Sequence, residues 1–365
     1  MKNLRPIAIY LPQYHPIPEN DRWWGKGFTE WTNVKKSKPL YKGHNQPNIP
    51  HHSIGYYNLS DPEVLVKQAL LAKEFGIYGF AFYHYWFNGK QLLNLPVDNF
   101  LEYKMPDFPF CLFWANETWS RRWLGEEKEI LIKQTYSEAD DCNHINWLVK
   151  VFKDQRYLKV GNRPVFIIYR PLDFPDITRT LNLFTDRCKN SELEKPYFIA
   201  SNSHNGNIDL RNLGFDNILN FEPQLGVLPD FMDDRKRLKK LLRNIRLSVF
   251  NSKLKIYDYS EAKELMLNRE ISYPYFPCSF INWDNTPRRA INGIVIKNNS
   301  PVIFKKYFKK SIELLKKMNF KDDENFIFIN SWNEWAEGNY LEPDIKNGYQ
   351  YLEAVKETLA LPINE

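Results

Sequence analysis

The fold class predicted for this chain is α/β: a single (β/α)8 TIM-type barrel over residues 1–365, with long βα loops forming the site at its C-terminal face. Three observations lead there. Eight short apolar, β-rich segments recur along the sequence, helical patterns with readable ends lie between them, and no GxGxxG follows the first segment as a doubly wound dinucleotide fold would show.

The segments are PIAIYLP (6–12), IYGFAFYH (77–84), PFCLFWAN (109–116), PVFIIYR (164–170), PYFIAS (196–201), DNILNFE (216–222), FPCSFINW (276–283) and NFIFINS (325–331). Their near-continuous apolar character suits parallel strands covered on both faces. Asp61 reads as a helix cap, with Pro62 at the first position, Gly76 past the end and a stripe of Leu65, Ala69 and Ala72. Ser137 opens a second helix through Ile145, Leu148 and Val149. A third spans about 301–318, with Ile312, Leu315 and Met318 inward. A basic helical insertion is expected at about 231–268, with seven Lys or Arg between Arg235 and Arg246. Its plain reading is a solvated helix face; its sharper one is peripheral contact of 235–246 with an anionic membrane surface.

A formal charge of +6 is mild for this length and does not point to nucleic acid. Cys111, Cys142, Cys188 and Cys278 form no CxxC pair, which fits free thiols in a reducing compartment. The opening MKNLRPIAIYLPQY makes a poor signal peptide, and no apolar run approaches a membrane span. A cytoplasmic protein is expected. No cofactor or metal is expected either, since the adjacent His51 and His52 point apart in an extended chain.

Barrel sites are built at the C-terminal ends of strands. Ten of the 11 tryptophans fall at those ends (Trp23, Trp24, Trp31, Trp86, Trp114, Trp119, Trp123, Trp283, Trp332 and Trp335), and only Trp147 does not. Indole faces among carboxylates and amides suit a carbohydrate, whose C–H faces stack while its hydroxyls hydrogen-bond. The candidate substrate contacts are Tyr14, His15, Trp24 and Glu30 after the first strand, and Tyr83, His84 and Trp86 at the second. Trp114, Asn116, Glu117 and Arg122 follow at the third, Tyr169 at the fourth and Glu222 at the sixth. Trp283 and Asp284 stand at the seventh, and Asn333 and Trp335 at the eighth.

The last strand runs into NSWNEWAEGNYLEPD, where Glu334 and Glu337 lie three apart among aromatics. Charges beside large aromatics are costly to desolvate, so the pair is either wet or reactive. In a continuing strand the two would face opposite ways. In a turn they share a side, roughly 5–6 Å apart at Cβ, and Gly338 favours a turn. Glycosidic cleavage commonly uses two carboxyl groups, one to protonate the leaving oxygen and one as nucleophile or base. Glu334 and Glu337 are therefore the candidate catalytic pair.

YLPQYHPIPENDRWWGKGFTEWTNV, YGFAFYHYWFNGK, FPFCLFWANETWSRRW, NWDNTPRR and SWNEWAEGNYLEPD together resemble the WbsX-like family of bacterial polysaccharide-locus proteins, over almost the whole chain. That family is related to the family-99 glycoside hydrolases of endo-α-mannosidase type, a link resting mainly on the last motif and the barrel pattern. The resemblance implies a barrel that acts without a metal on an oligo- or polysaccharide of O-antigen type, free or lipid-linked. It also implies retaining hydrolysis or transglycosylation, with Glu334 deprotonating the sugar 2-hydroxyl to form a 1,2-anhydro intermediate and Glu337 as acid/base. A glycosyltransferase of lipopolysaccharide and O-antigen biosynthesis is the alternative, although no Gly-rich diphosphate turn is evident. A non-catalytic glycan-binding barrel is the second alternative; it would keep the aromatics without needing both glutamates.

Overall fold

The computed structural model describes residues 4–121, 126–203, 207–229 and 254–361. Each of the eight segments forms a strand: β1 (Arg5–Tyr10), β2 (Gly79–Phe87), β3 (Phe110–Trp114), β4 (Arg163–Ile168), β5 (Tyr197–Ser201), β6 (Asn217–Asn220), β7 (Phe276–Phe280) and β8 (Phe326–Asn330). Every neighbouring pair is parallel, and β8 returns to β1 in the register Ile7↔Phe328, which closes the barrel. Closure leaves the wall no free edge. At Gly79 an added Cβ would stand 2.6 Å from the Pro109 carbonyl oxygen, so only glycine lets the start of β2 lie this close to the chain entering β3.

The helices are α1 (Pro18–Trp24), α2 (Glu30–Lys36), α3 (Pro62–Glu74), α4 (Leu95–Tyr103), α5 (Glu138–Phe152), α6 (Ile177–Lys189), α7 (Tyr259–Leu267), α8 (Thr286–Arg289), α9 (Pro301–Lys317) and α10 (Gln350–Ala360). The Asp61 carboxylate accepts from Glu63 N and caps α3, and Ser137 Oγ accepts from Asp140 N and caps α5. Leu65, Ala69 and Ala72 are buried on α3, as are Ile312 and Leu315 on α9. Between β5 and β6 the described residues hold only a 3-10 turn, Leu210–Leu213.

Residues 231–253 of the expected basic insertion, including 235–246, lie outside the described residues, as do Arg122 and Trp123. The rest of that stretch contains α7, whose Tyr259 hydroxyl donates to the Phe280 carbonyl at 2.7 Å. In the chain α7 lies between β6 and β7. Among the described residues no helix is long and apolar enough to cross a membrane.

Candidate active site

The site begins where β8 ends. After Asn330 the chain forms a short hairpin, with Asn333 opposite Tyr340 and Glu334 opposite Asn339. One 3-10 turn, Trp335–Glu337, lies at its tip. Gly338 takes φ 62°, and an added Cβ would approach Asp284 Cβ to 3.0 Å, so the turn needs glycine for both its twist and its fit. This turn brings both glutamates to one guanidinium. Arg288 Nη2 donates to Glu334 Oε2 at 3.1 Å and Nη1 to Glu337 Oε1 at 2.6 Å, while Nε donates to Glu30 Oε2 at 3.1 Å.

A cavity of about 580 Å³ opens against this cluster at the C-terminal mouth of the barrel. Its wall includes Glu334, Glu337, Arg288, Tyr83, Tyr85, Tyr169, Trp24, Trp119, Trp283 and Glu117. Glu334 has a side chain 8% exposed, and Glu337 is more open at 21%. Burial raises both carboxyls above the ordinary range, opposed by the positive charge of Arg288. The Tyr83 and Tyr169 phenols are likewise held up by burial and by nearby glutamates, so they stay neutral donors and acceptors. Among the described residues no group of three or more His, Cys, Asp or Glu is arranged to hold a metal ion.

Of the candidate contacts, Trp24, Tyr83, Glu117, Tyr169 and Trp283 border the cavity. Glu30 stands behind Arg288, wholly buried. Arg122 lies outside the described residues; the remaining candidates do not line the cavity, which corrects the expectation that their side chains meet a ligand there. Tyr14 is buried, its hydroxyl donating to the Asn333 carbonyl and accepting from Trp335 N at 3.2 Å. His15 is buried as well, which lowers it to about 4 and keeps it neutral. Asn116 ties loops together, accepting from Arg170 N at 2.8 Å. Asn333 bonds both polar groups of Leu11, at 2.7 and 3.0 Å. Asp284 accepts from Gln46 and Thr286 and lies 2.7 Å from His44 Nε2. Trp335 stacks on Tyr340 at 3.7 Å.

His84, Trp86, Trp114 and Glu222 fail for a shared reason, because they face outward from the barrel wall towards its helices. His84 Nε2 lies 2.9 Å from His144 Nε2 of α5, Trp86 stacks on His144 at 4.5 Å, and the Trp114 ring meets His144 at 4.4 Å. The Glu222 carboxylate accepts from the Tyr307 hydroxyl of α9, and burial pushes it up to about 8. Alternation explains the split on β2: Tyr83 and Tyr85 point into the mouth, and His84 and Trp86 point to α5. The tryptophan count misleads as well. Of the ten at strand ends, only Trp24, Trp119 and Trp283 border the cavity, among the described residues.

Sequence reasoning passed over Arg288, Tyr85 and Gln13. Gln13 Nε2 donates to the Tyr85 hydroxyl at 3.1 Å, and both line the cavity. The signal for Arg288 was a bare charge pair, Arg288–Arg289, separated by three residues from a strand-end tryptophan and aspartate.

Comparison with known proteins agrees with this architecture. Residues 6–355 match the family described as Glycosyltransferase WbsX. The chain belongs to that family. Two proteins described as uncharacterized protein WxcX, from Xanthomonas campestris pv. campestris strains B100 and ATCC 33913, are each 37% identical over 354 residues. Those matches cover 97% of this chain and 49% of the relatives, so the chain spans about half their length. Among solved structures, an endo-alpha-mannosidase of family GH99 from Bacteroides thetaiotaomicron superposes with a TM-score of 0.55 at 14% identity, covering 97% of this chain and 96% of that one. A glycoside hydrolase-like protein superposes with a TM-score of 0.58 at 13% identity, covering 98% and 94%. At such identities the likeness establishes a shared barrel fold.

Proposed function

We propose that this member of the WbsX family is a carbohydrate-active enzyme that cleaves or transfers a glycosidic bond, with Glu334 and Glu337 as the reacting pair. One observation carries the reading. Two buried carboxyl groups, three residues apart, meet at one guanidinium on the wall of a cavity lined by tyrosines and tryptophans. Glu337, the more open of the two, protonates the leaving oxygen and afterwards takes a proton from water; its greater exposure supports that role. Burial raises the Glu337 carboxyl above its ordinary range, the direction a proton donor needs.

Glu334 takes the proton of the sugar 2-hydroxyl, and that oxygen closes on the anomeric carbon as the bond to the leaving group breaks. Water, giving its proton to Glu337, attacks the anomeric carbon and reopens the 1,2-anhydro ring with net retention, while Glu334 returns its proton to the 2-oxygen. A sugar hydroxyl in place of water turns the same steps into transglycosylation. The substrate is an oligo- or polysaccharide of the bacterial surface type, free or lipid-linked.

Nucleotide-sugar transfer is the second reading, favoured by the description of the family. It is the weaker one on electrostatic grounds. Glu117, Glu334 and Glu337 line the cavity against Arg288 and Arg289, and Arg288 is already bonded to carboxylates, a poor setting for a diphosphate. The test is incubation with the polysaccharide of the producing organism, or its lipid-linked precursor, followed by product analysis. Cleavage by the wild type that is lost in both Glu334→Gln and Glu337→Gln supports the proposal. Undiminished cleavage by both variants overturns it, and calorimetric binding of nucleotide-sugars without cleavage favours transfer.

A further inference from the structure

We propose that Arg288, anchored by Glu30, is a positioning residue for the Glu334–Glu337 pair, setting where the two carboxyl groups point and how many protons they hold between them. This rests on reading that pair as the reacting groups. The guanidinium uses a different nitrogen for each of its three carboxylates, at 3.1, 3.1 and 2.6 Å, so rotating it towards one partner breaks its bonds to the others. Glu30 is fully buried, and its Oε1 has no hydrogen-bond partner among the described residues. A buried carboxylate oxygen left bare is costly, so packing gives no reason to keep an acid there. Its bond to Arg288 does.

The anchor points are themselves fixed. Glu30 N donates to the Gln13 carbonyl at 3.1 Å, which ties the start of α2 to the exit of β1. Arg288 sits on α8, whose first residue Thr286 donates to Asp284 Oδ1 from N at 3.0 Å and from Oγ1 at 2.6 Å. The other Asp284 oxygen takes Gln46 Nε2 at 2.7 Å, and Gly338 packs against the same aspartate. The guanidinium is thus held from two loops and the pair from a third.

Charge completes the argument. Three carboxylates on one guanidinium would carry a formal charge of minus two if all were ionised, on side chains that are mostly buried. Glu117 also faces Glu337, and the phenols of Tyr14, Tyr83, Tyr85 and Tyr169 around the cluster stay neutral. Retaining a proton within the cluster relieves the repulsion, and Glu30 is one of the acids whose charge decides how firmly it is held.

The experiment is a ¹³C NMR titration of the full chain labelled at glutamate Cδ, with Glu334→Gln and Glu337→Gln assigning the two signals. Glu30→Gln keeps an oxygen for Arg288 and removes one negative charge; the midpoints of the pair should fall by on the order of one pH unit. Arg288→Lys keeps the charge but not the fork, and at least one midpoint should rise. Midpoints unchanged from wild type in both folded variants, with only thermal stability lowered, would reduce Arg288 to structural glue and overturn the proposal. If both shifts occur in a chain that cleaves no glycan, the positioning role stands and the reaction proposed above fails.

Discussion

Two carboxylate sites in one short loop have opposite characters. Glu342 lies eight residues after Glu334 and is also buried, yet it is saturated by neutral donors: Trp335 Nε1 at 2.7 Å, the Tyr57 hydroxyl at 2.9 Å and Gln68 Nε2 at 2.6 Å. Its burial raises it to about 7, offset by those bonds, and it does not border the cavity. Glu334 and Glu337 share one cation with a third acid and do face the cavity. A carboxylate built for structure is surrounded by donors that ask nothing else of it. A pair left competing for one partner and open to a cavity has the character that the proposed chemistry needs.

The largest effect that could break this comparison is on turnover. Glu337→Gln should slow cleavage by roughly 10²–10⁴-fold, the usual range for losing a general acid/base, while glycan affinity measured by calorimetry holds. Next is Glu342→Leu, which leaves three buried donors without an acceptor and should cost about 3 kcal/mol or more in urea unfolding. If that variant unfolds at the wild-type midpoint, Glu342 is not the structural partner described here. Trp283→Ala, on the cavity wall, should weaken glycan binding about tenfold, near 1.4 kcal/mol. Trp86→Phe should leave affinity unchanged and cost about 1 kcal/mol of stability through the lost bond to Asp140.

The smallest effect is a slope. Glu222 is raised from 4.5 to about 8 by burial, so its protonated form favours the fold. That contribution is complete below about pH 4.5 and is lost as pH rises through 8. The melting temperature of Glu222→Gln, compared with wild type from pH 5 to 9, should therefore decline less. Parallel curves would sink the assignment.

How far the site was legible differs from strand to strand. The turn after β8 was readable, because Gly338 and the end of the apolar run mark it locally. The division within β2 was not. GFAFYHYWF is buried at every position, so no polar–apolar alternation says which residues face the barrel mouth and which face α5. Aromatic residues at strand ends therefore signalled a site and its surrounding packing alike. Arg288 was invisible for a different reason: its three acids come from residues 30, 334 and 337, and nothing in a linear sequence pairs a distant arginine with them.

By itself, the sequence determined the eight strands, the capped helices and the closed barrel they imply, because periodicity, caps and glycine positions act over a few neighbouring residues. It also placed two glutamates together beyond the last strand. Tertiary structure alone decided which strand-end side chains enter the cavity and which meet the helices, and that one guanidinium joins three acids. Those outcomes depend on strand facing and on contacts between distant loops, which are set only when the barrel closes.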